Sequence, residues 1–198
     1  VMGVCILLFA CGGGSGGGQV AGPPPTPAKL LLCDDSLKTE FKPDAQTTVL
    51  MVKQFRKGDA PLSPPNNQPS FKFSSDVCMV KLLVGPGNPG PADALSTSKG
   101  IGIEVWLPTE KPWNGRFHAT GNGGWAGTSE SVHTKNSEAG TAGSGDRRAM
   151  QIAAEEGAVT SSTDNGFVGG IPFIDASPLM NPDGTINQTL WKDFSSRA

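Results

Sequence analysis

Two short clusters hold the residue types that could support chemistry in this chain. They are Trp113-Asn114-Gly115-Arg116-Phe117 and, just after it, Gly121-Asn122-Gly123-Gly124-Trp125-Ala126-Gly127. Glycines directly after a strand let a backbone approach a ligand closely and aim bare N–H groups at it. Such a loop can stabilise a phosphate or an oxyanion. Histidines are few: His118 reads as a satisfied structural residue on a strand, and His133 as a solvated loop residue. Asp164 stands at the end of a strand-like run, where catalysis and turn stabilisation are both open.

These clusters need elements to position them. Ile101 to Leu107 is the clearest strand, with Ile101, Ile103, Val105 and Leu107 on one face. A turn from Pro108 to Pro112 leads into the first cluster, and Phe117 to Thr120 reads as a second short strand that empties into the glycines. Trp125 to Gly145 is small and polar, a long loop. Arg147 to Glu156 is the best helix, with Met150, Ala153 and Ala154 at helical spacing and Gly157 as its stop. Ala158 to Thr163 reads as a strand. Upstream, Cys33 to Phe41 suits a short helix (Asp34, Asp35 and Ser36 in its first turn), Thr47 to Phe55 a strand, and Phe71 to Val84 strand-like pieces around Cys78. Gly58 to Pro69 and Gly85 to Lys99 are loops, as is Gly166 to Gly184 with its Asn181-Pro-Asp-Gly184 turn; Leu190 to Ala198 begins a helix. Strand, glycine loop, helix, strand is the pattern of an α/β sheet with ligand chemistry at its strand ends.

The chain has 198 residues, enough for one domain with a real core. The 27 glycines and 17 prolines mean much turn and loop, and the net charge of −2 gives no electrostatic case for nucleic acid. The first residues read as a processing segment. Val4 to Ala10 is too short an apolar run to span a bilayer. It ends in Leu8-Phe9-Ala10-Cys11, which resembles a bacterial lipobox despite the unusual Phe9, so Cys11 is the candidate lipidation site. No basic residue precedes it, so the start reads as clipped; an ordinary secretory signal is the alternative. The expectation is an exported bacterial protein held to a membrane by a lipid, periplasmic or on the cell surface. Residues 1–11 are then the signal segment and 12–29 a Gly/Ser/Pro-rich tether. Gly13-Gly-Ser15-Gly-Gly17 matches G-x-S-x-G, but a nucleophile elbow needs a strand before it and a helix after it, and a tether has neither. With Cys5 in the signal and Cys11 lipidated, Cys33 and Cys78 remain for the exported part. One disulfide or two buried free thiols both fit.

Three readings compete for the glycine loop. Gly121-Asn-Gly-Gly-Trp-Ala126 fits the dinucleotide pattern G-x-G-x-x-A, but that pattern wants a helix opening from the loop and an acidic ribose partner about 20 residues on. Here the long polar loop intervenes and Asp164 lies too far along. A purely structural turn is the second reading. The third is an oxyanion loop: in α/β-hydrolases one donor follows the nucleophile and the other comes from a glycine-rich loop after an early strand.

Taken in order, Ile103-Glu-Val-Trp-Leu-Pro108, Trp113-Asn-Gly-Arg-Phe117, Gly121-Asn-Gly-Gly124 and Ser162-Thr-Asp-Asn-Gly166 resemble the tannase and feruloyl esterase family, which includes the mono(2-hydroxyethyl) terephthalate hydrolases. Asp193-Phe194 with Arg197-Ala198 resembles that family's helix start just ahead of its nucleophile segment, so the resemblance runs from Cys33 to the last residue. It implies a serine carboxylesterase with an α/β-hydrolase core and a lid inserted later in the chain, no cofactor, no metal, and small esters of aromatic acids (gallate, ferulate, terephthalate) as substrates. The family's nucleophile lies in a Cys-Ser-x-Gly-Gly segment, with the Asp and His later still; no such segment occurs here. The expectation for residues 30–198 is therefore the N-terminal part of an α/β-hydrolase fold, truncated before the nucleophile elbow, with no triad residue and no activity of its own. Gly124, with Gly123 beside it, falls where the family places its first oxyanion donor, and Cys33 and Cys78 where it places its N-terminal disulfide. One departure is Phe167, where the family usually has His after Thr-Asp-x-Gly. A non-catalytic exported lipoprotein that serves as a binding module is the alternative from another class.

Overall fold

The computed structural model describes residues 32–60, 62–63, 68–69, 72–88, 90–94, 98–120, 144–166 and 176–197. All lie in one compact unit, Leu31–Ala198. Its strands are Thr47–Phe55 (β1), Leu62–Ser63 (β2), Gln68–Pro69 (β3), Val77–Val84 (β4), Ile101–Pro108 (β5), Phe117–Thr120 (β6) and Val159–Thr163 (β7). Its helices are Leu37–Glu40 (α1), Ser144–Glu155 (α2) and Gln188–Lys192 (α3), with a 3-10 turn at Ser177–Leu179 and a π-helical turn at Asp193–Arg197.

Five strands form one sheet in the order β1-β4-β5-β7-β6, and β2 and β3 pair in a separate ribbon. The pairs β1/β4, β4/β5 and β5/β7 are antiparallel; β6 and β7 are parallel. The parallel pair needs a crossover, and α2 lies within the connection. In β1 the register passes from Val49↔Leu82 to Met51↔Lys81, which leaves Leu50 as the extra residue of a bulge.

The two faces of the sheet bury different residues. Val77 and Met79 of β4 and Trp106 of β5 join Phe55 and Phe73 under Met150 and Ala154 of α2. Phe73 stands 5.2 Å from both Phe55 and Trp106, edge-on to the latter. On the opposite face Val49, Cys78 and Val80 meet Leu37 of α1, with Phe41, Val105 and Leu107 alongside. This is why β4 reads Val-Cys-Met-Val-Lys-Leu-Leu-Val with almost no polar alternation: both of its faces are covered.

The cover on the second face is a short segment, pinned by a disulfide between Cys33 and Cys78 with Cα atoms 5.8 Å apart. The sequence left one disulfide and two thiols open; the fold selects the disulfide. Because α1 is only one turn long, an open apolar pocket of about 370 Å³ remains beside it, lined by Leu32, Phe41, Val80, Leu82 and Leu107.

Candidate functional site

The Trp113–Phe117 cluster turns out to be a clamp at the end of α2. The Asn114 side chain donates to Glu156 O at 3.1 Å and accepts from Arg116 N at 2.9 Å, while Asn114 N donates to Gly157 O at 2.9 Å. Lys111 Nζ reaches Glu155 O at 2.7 Å. Together these groups satisfy carbonyls that a helix C-terminus leaves without partners. Gly157 has φ +95°, and a Cβ there would stand 3.2 Å from Pro112 O, so the helix stop and the clamp require glycine for both reasons. Trp113 Nε1 donates to Arg116 O at 2.8 Å, and Arg116 O also accepts from Val159 N at 3.0 Å. The cluster therefore fixes where β6 starts relative to β7.

β6 then runs four residues, parallel to β7, with Phe117↔Val159 and Thr120↔Ser162 as its first and last partners. Thr120 Oγ1 donates to Ser161 O at 3.2 Å. β6 thus ends at Thr120, one residue before Gly121, at the C-terminal edge of its parallel pair, where α/β sheets place ligand chemistry. Gly123 and Gly124 lie outside the described residues, as do Cys11, His133 and Phe167. His118 is solvent-exposed on β6 rather than packed as a structural residue, and among the described residues β6 pairs only with β7.

The neighbouring strand end is tightly built. Asp164 is fully buried, and its Oδ1 accepts from Gly102 N at 2.9 Å and from Gly166 N at 2.8 Å. Its own N–H donates to Gly102 O at 3.0 Å. Asn165 and Gly166 follow in left-handed conformation, φ 61° and 82°, which Asn and Gly tolerate best. Asp164 thus stabilises the turn, the role the family resemblance favours by placing the catalytic Asp elsewhere. Behind the turn sits Asp193, 1% exposed, with Oδ1 2.6 Å from Arg197 Nη1; Arg197 Nη2 donates to Gly85 O at 2.6 Å.

A row of polar residues crosses the α2 face of the sheet toward the same edge: Lys81, Glu104, Ser162 and Thr120 are direct partners across β4, β5, β7 and β6. Lys81 Nζ and Glu104 Oε2 are 3.9 Å apart, both side chains fully buried, and Trp106 Nε1 donates to Glu104 Oε1 at 2.7 Å. Sequence reasoning missed this pair. Its signals were a lysine inside an otherwise apolar strand and a glutamate flanked by Ile103 and Val105. Among the described residues no three His, Cys, Asp or Glu side chains gather as a metal ion would require.

Comparison with known proteins gives consistent relatives. The chain is 31% identical over 157 residues to a probable feruloyl esterase of Arthroderma benhamiae, covering 79% of this chain and 24% of that protein. It is 33% identical over 90 residues to a probable feruloyl esterase B-1 of Aspergillus terreus, covering 43% of this chain and 14% of the relative. The crystal structure of feruloyl esterase B from Aspergillus oryzae superposes with a TM-score of 0.50 at 23% identity, over 82% of this chain and 25% of that one. That likeness concerns the fold and is consistent with an α/β-hydrolase-like arrangement. No family model matches the chain. The chain spans about a quarter of the length of the first of these relatives.

Proposed function

We propose, from the premise that this chain belongs to a feruloyl esterase-like family, that it supplies the oxyanion-loop portion of a serine carboxylesterase acting on esters of aromatic acids. The observation that carries this reading is the end of β6 at Thr120, one residue before Gly121, at the C-terminal edge of the parallel pair. A backbone N–H of Gly124, beside Gly123, donates to the oxygen that becomes an oxyanion when a nucleophile adds to the ester carbonyl. The second donor comes from the residue after the nucleophile. A serine, activated by a histidine that an aspartate orients, attacks the carbonyl carbon; the histidine then returns the proton to the leaving alcohol. We assign all three triad residues to the part of the family's length that this chain does not span. Residues 30–198 alone therefore turn over no ester.

In the same reading the protein is exported, carries its lipid on Cys11, and reaches its substrate from a membrane surface through the tether at residues 12–29. The small-molecule substrate is a gallate, ferulate or terephthalate ester, and no cofactor takes part.

The test is Gly124→Val in a protein that contains these residues and a Cys-Ser-x-Gly-Gly segment. Loss of an oxyanion donor lowers kcat about 100- to 1,000-fold with little change in KM, because the contact matters most in the transition state. Normal kcat would remove the assignment. Loss of folding with no specific kinetic effect would favour a purely structural turn.

A further inference from the structure

The α2 face of the sheet changes character along its length. One part is the apolar cluster around Phe73, Met79 and Trp106, under Met150 and Ala154. The next row toward the C-terminal ends of β6 and β7 is Lys81, Glu104, Ser162 and Thr120. An apolar row would fill the same space. Instead the protein buries a full ion pair, with both side chains at 0% exposure and the nitrogen and oxygen 3.9 Å apart, plus the buried Ser162 hydroxyl. Taking two charges out of water can cost more than their attraction returns, so well-packed apolar replacements are often neutral or stabilising. A stability role is therefore a poor account of this pair. Its position offers a better one. Neighbouring strands are about 4.8 Å apart, so Glu104 lies two strands, about 10 Å, from Thr120. Thr120 is the last residue before the glycine loop.

β6 itself is weakly held. It has four residues, pairs on one side among the described residues, and exposes Phe117 at 63%. Its placement depends on β7, whose other partner is β5 over only the four pairs Ile103↔Thr163 to Trp106↔Thr160. Glu104 sits in the middle of that short ladder, opposite Ser162, and is oriented by Trp106 Nε1 from one side and Lys81 from the other. A directional, charged contact admits one arrangement of the row, whereas apolar side chains would admit several with similar energies.

We propose that Lys81 and Glu104 are positioning residues for the end of β6: the buried pair gives up stability to fix β7, and through it Thr120, in a single placement. The kinetic part of this proposal rests on the esterase reading; the structural part does not.

The experiment is the double substitution K81M/E104L, which removes both charges and keeps volume. Hydrogen exchange is measured on the chain as it stands. The amides of Phe117 to Thr120 are expected to exchange at least tenfold faster than in the parent, the β1/β4 amides to stay within twofold, and Tm to fall by no more than about 10 °C, because only Trp106 Nε1 loses its acceptor. In the ester-hydrolysing protein the same double variant should lower kcat at least tenfold with KM within threefold. Unchanged exchange in β6 would overturn the proposal. A collapse of Tm would overturn it equally, since the pair would then be a stability element. Parent-like kcat beside faster β6 exchange would refute the kinetic part. A parent protein without esterase activity would sink the functional reading and leave the exchange result to decide this one.

Discussion

Removing the disulfide should be among the largest single perturbations to this fold. Cys33 lies in the segment that covers one face of the sheet, and Cys78 is 1% exposed in the middle of that face. The bridge spans a sequence separation of 45. Constraining a loop of that size in the unfolded chain contributes about 4 kcal/mol on the chain-entropy account. A compact unit of this size loses roughly 2–4 °C of Tm per kcal/mol, so Cys33→Ser should melt about 8–16 °C below the parent. Cys33 is the better residue to change, because it is only half-buried and serine there leaves no large void. Thermal unfolding followed by far-UV circular dichroism gives the number, and calorimetry checks it. Two controls bind the result to the bridge. Reducing the parent with a dithiol should reproduce the variant's Tm, and the reductant should leave the variant unchanged. A Tm within 2 °C of the parent would refute the reasoning, as would a parent whose melting ignores the reductant.

Three further outcomes follow from particular contacts. Gly166→Ala combines a left-handed φ of 82° with a Cβ 2.8 Å from Asp193 Cβ; backbone strain and overpacking together should cost about 2–5 kcal/mol in urea unfolding, and a loss below 1 kcal/mol would mean the Asp193–Arg197 turn moves aside freely. Asn114→Ala removes one side-chain hydrogen bond to Glu156 O and one from Arg116 N, so it should cost about 1–2 kcal/mol; an unchanged midpoint would show that the clamp does not hold α2. Arg56, through its side-chain hydrogen bond, and then Lys57 N–H hold the Asp76 carboxyl below its ordinary range. With the folded pKa depressed, that contribution is present above the unfolded carboxyl value near 3.9 and is lost as pH falls through the folded value. Asp76→Asn should therefore flatten the fall of Tm between about pH 5 and pH 3, and parallel profiles for parent and variant would contradict this.

Local signals in the sequence located the elements around the site well. β-branched alternation set β1 at Thr47–Phe55, the run from Ile101 gave β5, and Gly157 marked the stop of α2. What periodicity could not supply was register. The alternation in β5 put Ile101, Ile103, Val105 and Leu107 on one face. Ile101 is buried, but the other three are only half-buried, because a single turn of helix covers them, whereas Glu104 and Trp106 on the other face are fully buried under α2. A charge in a strand reads as solvent-facing until its partner is known, and Lys81 meets Glu104 only once β4 and β5 are paired. The Trp113–Phe117 cluster was noticed for its chemistry, yet its described contacts are those of a helix clamp. The last helix was expected from Leu190; it starts at Gln188, because Asn187 accepts from Leu190 N as its cap, and it passes into a π-helical turn at Asp193. β6 at Phe117–Thr120, directly ahead of Gly121, was legible, because a short β-run bounded by glycine needs no long-range partner to be recognised.

The most direct test of the central claim is ester hydrolysis by two purified proteins: residues 30–198 alone, and a longer protein in which the same residues continue into a Cys-Ser-x-Gly-Gly segment. The account predicts background rates on p-nitrophenyl acetate and methyl ferulate for the first. For the second it predicts turnover of methyl ferulate that a serine-directed reagent abolishes. Robust hydrolysis by residues 30–198 alone, sensitive to that reagent, would contradict it, and so would a longer protein that turns over neither ester.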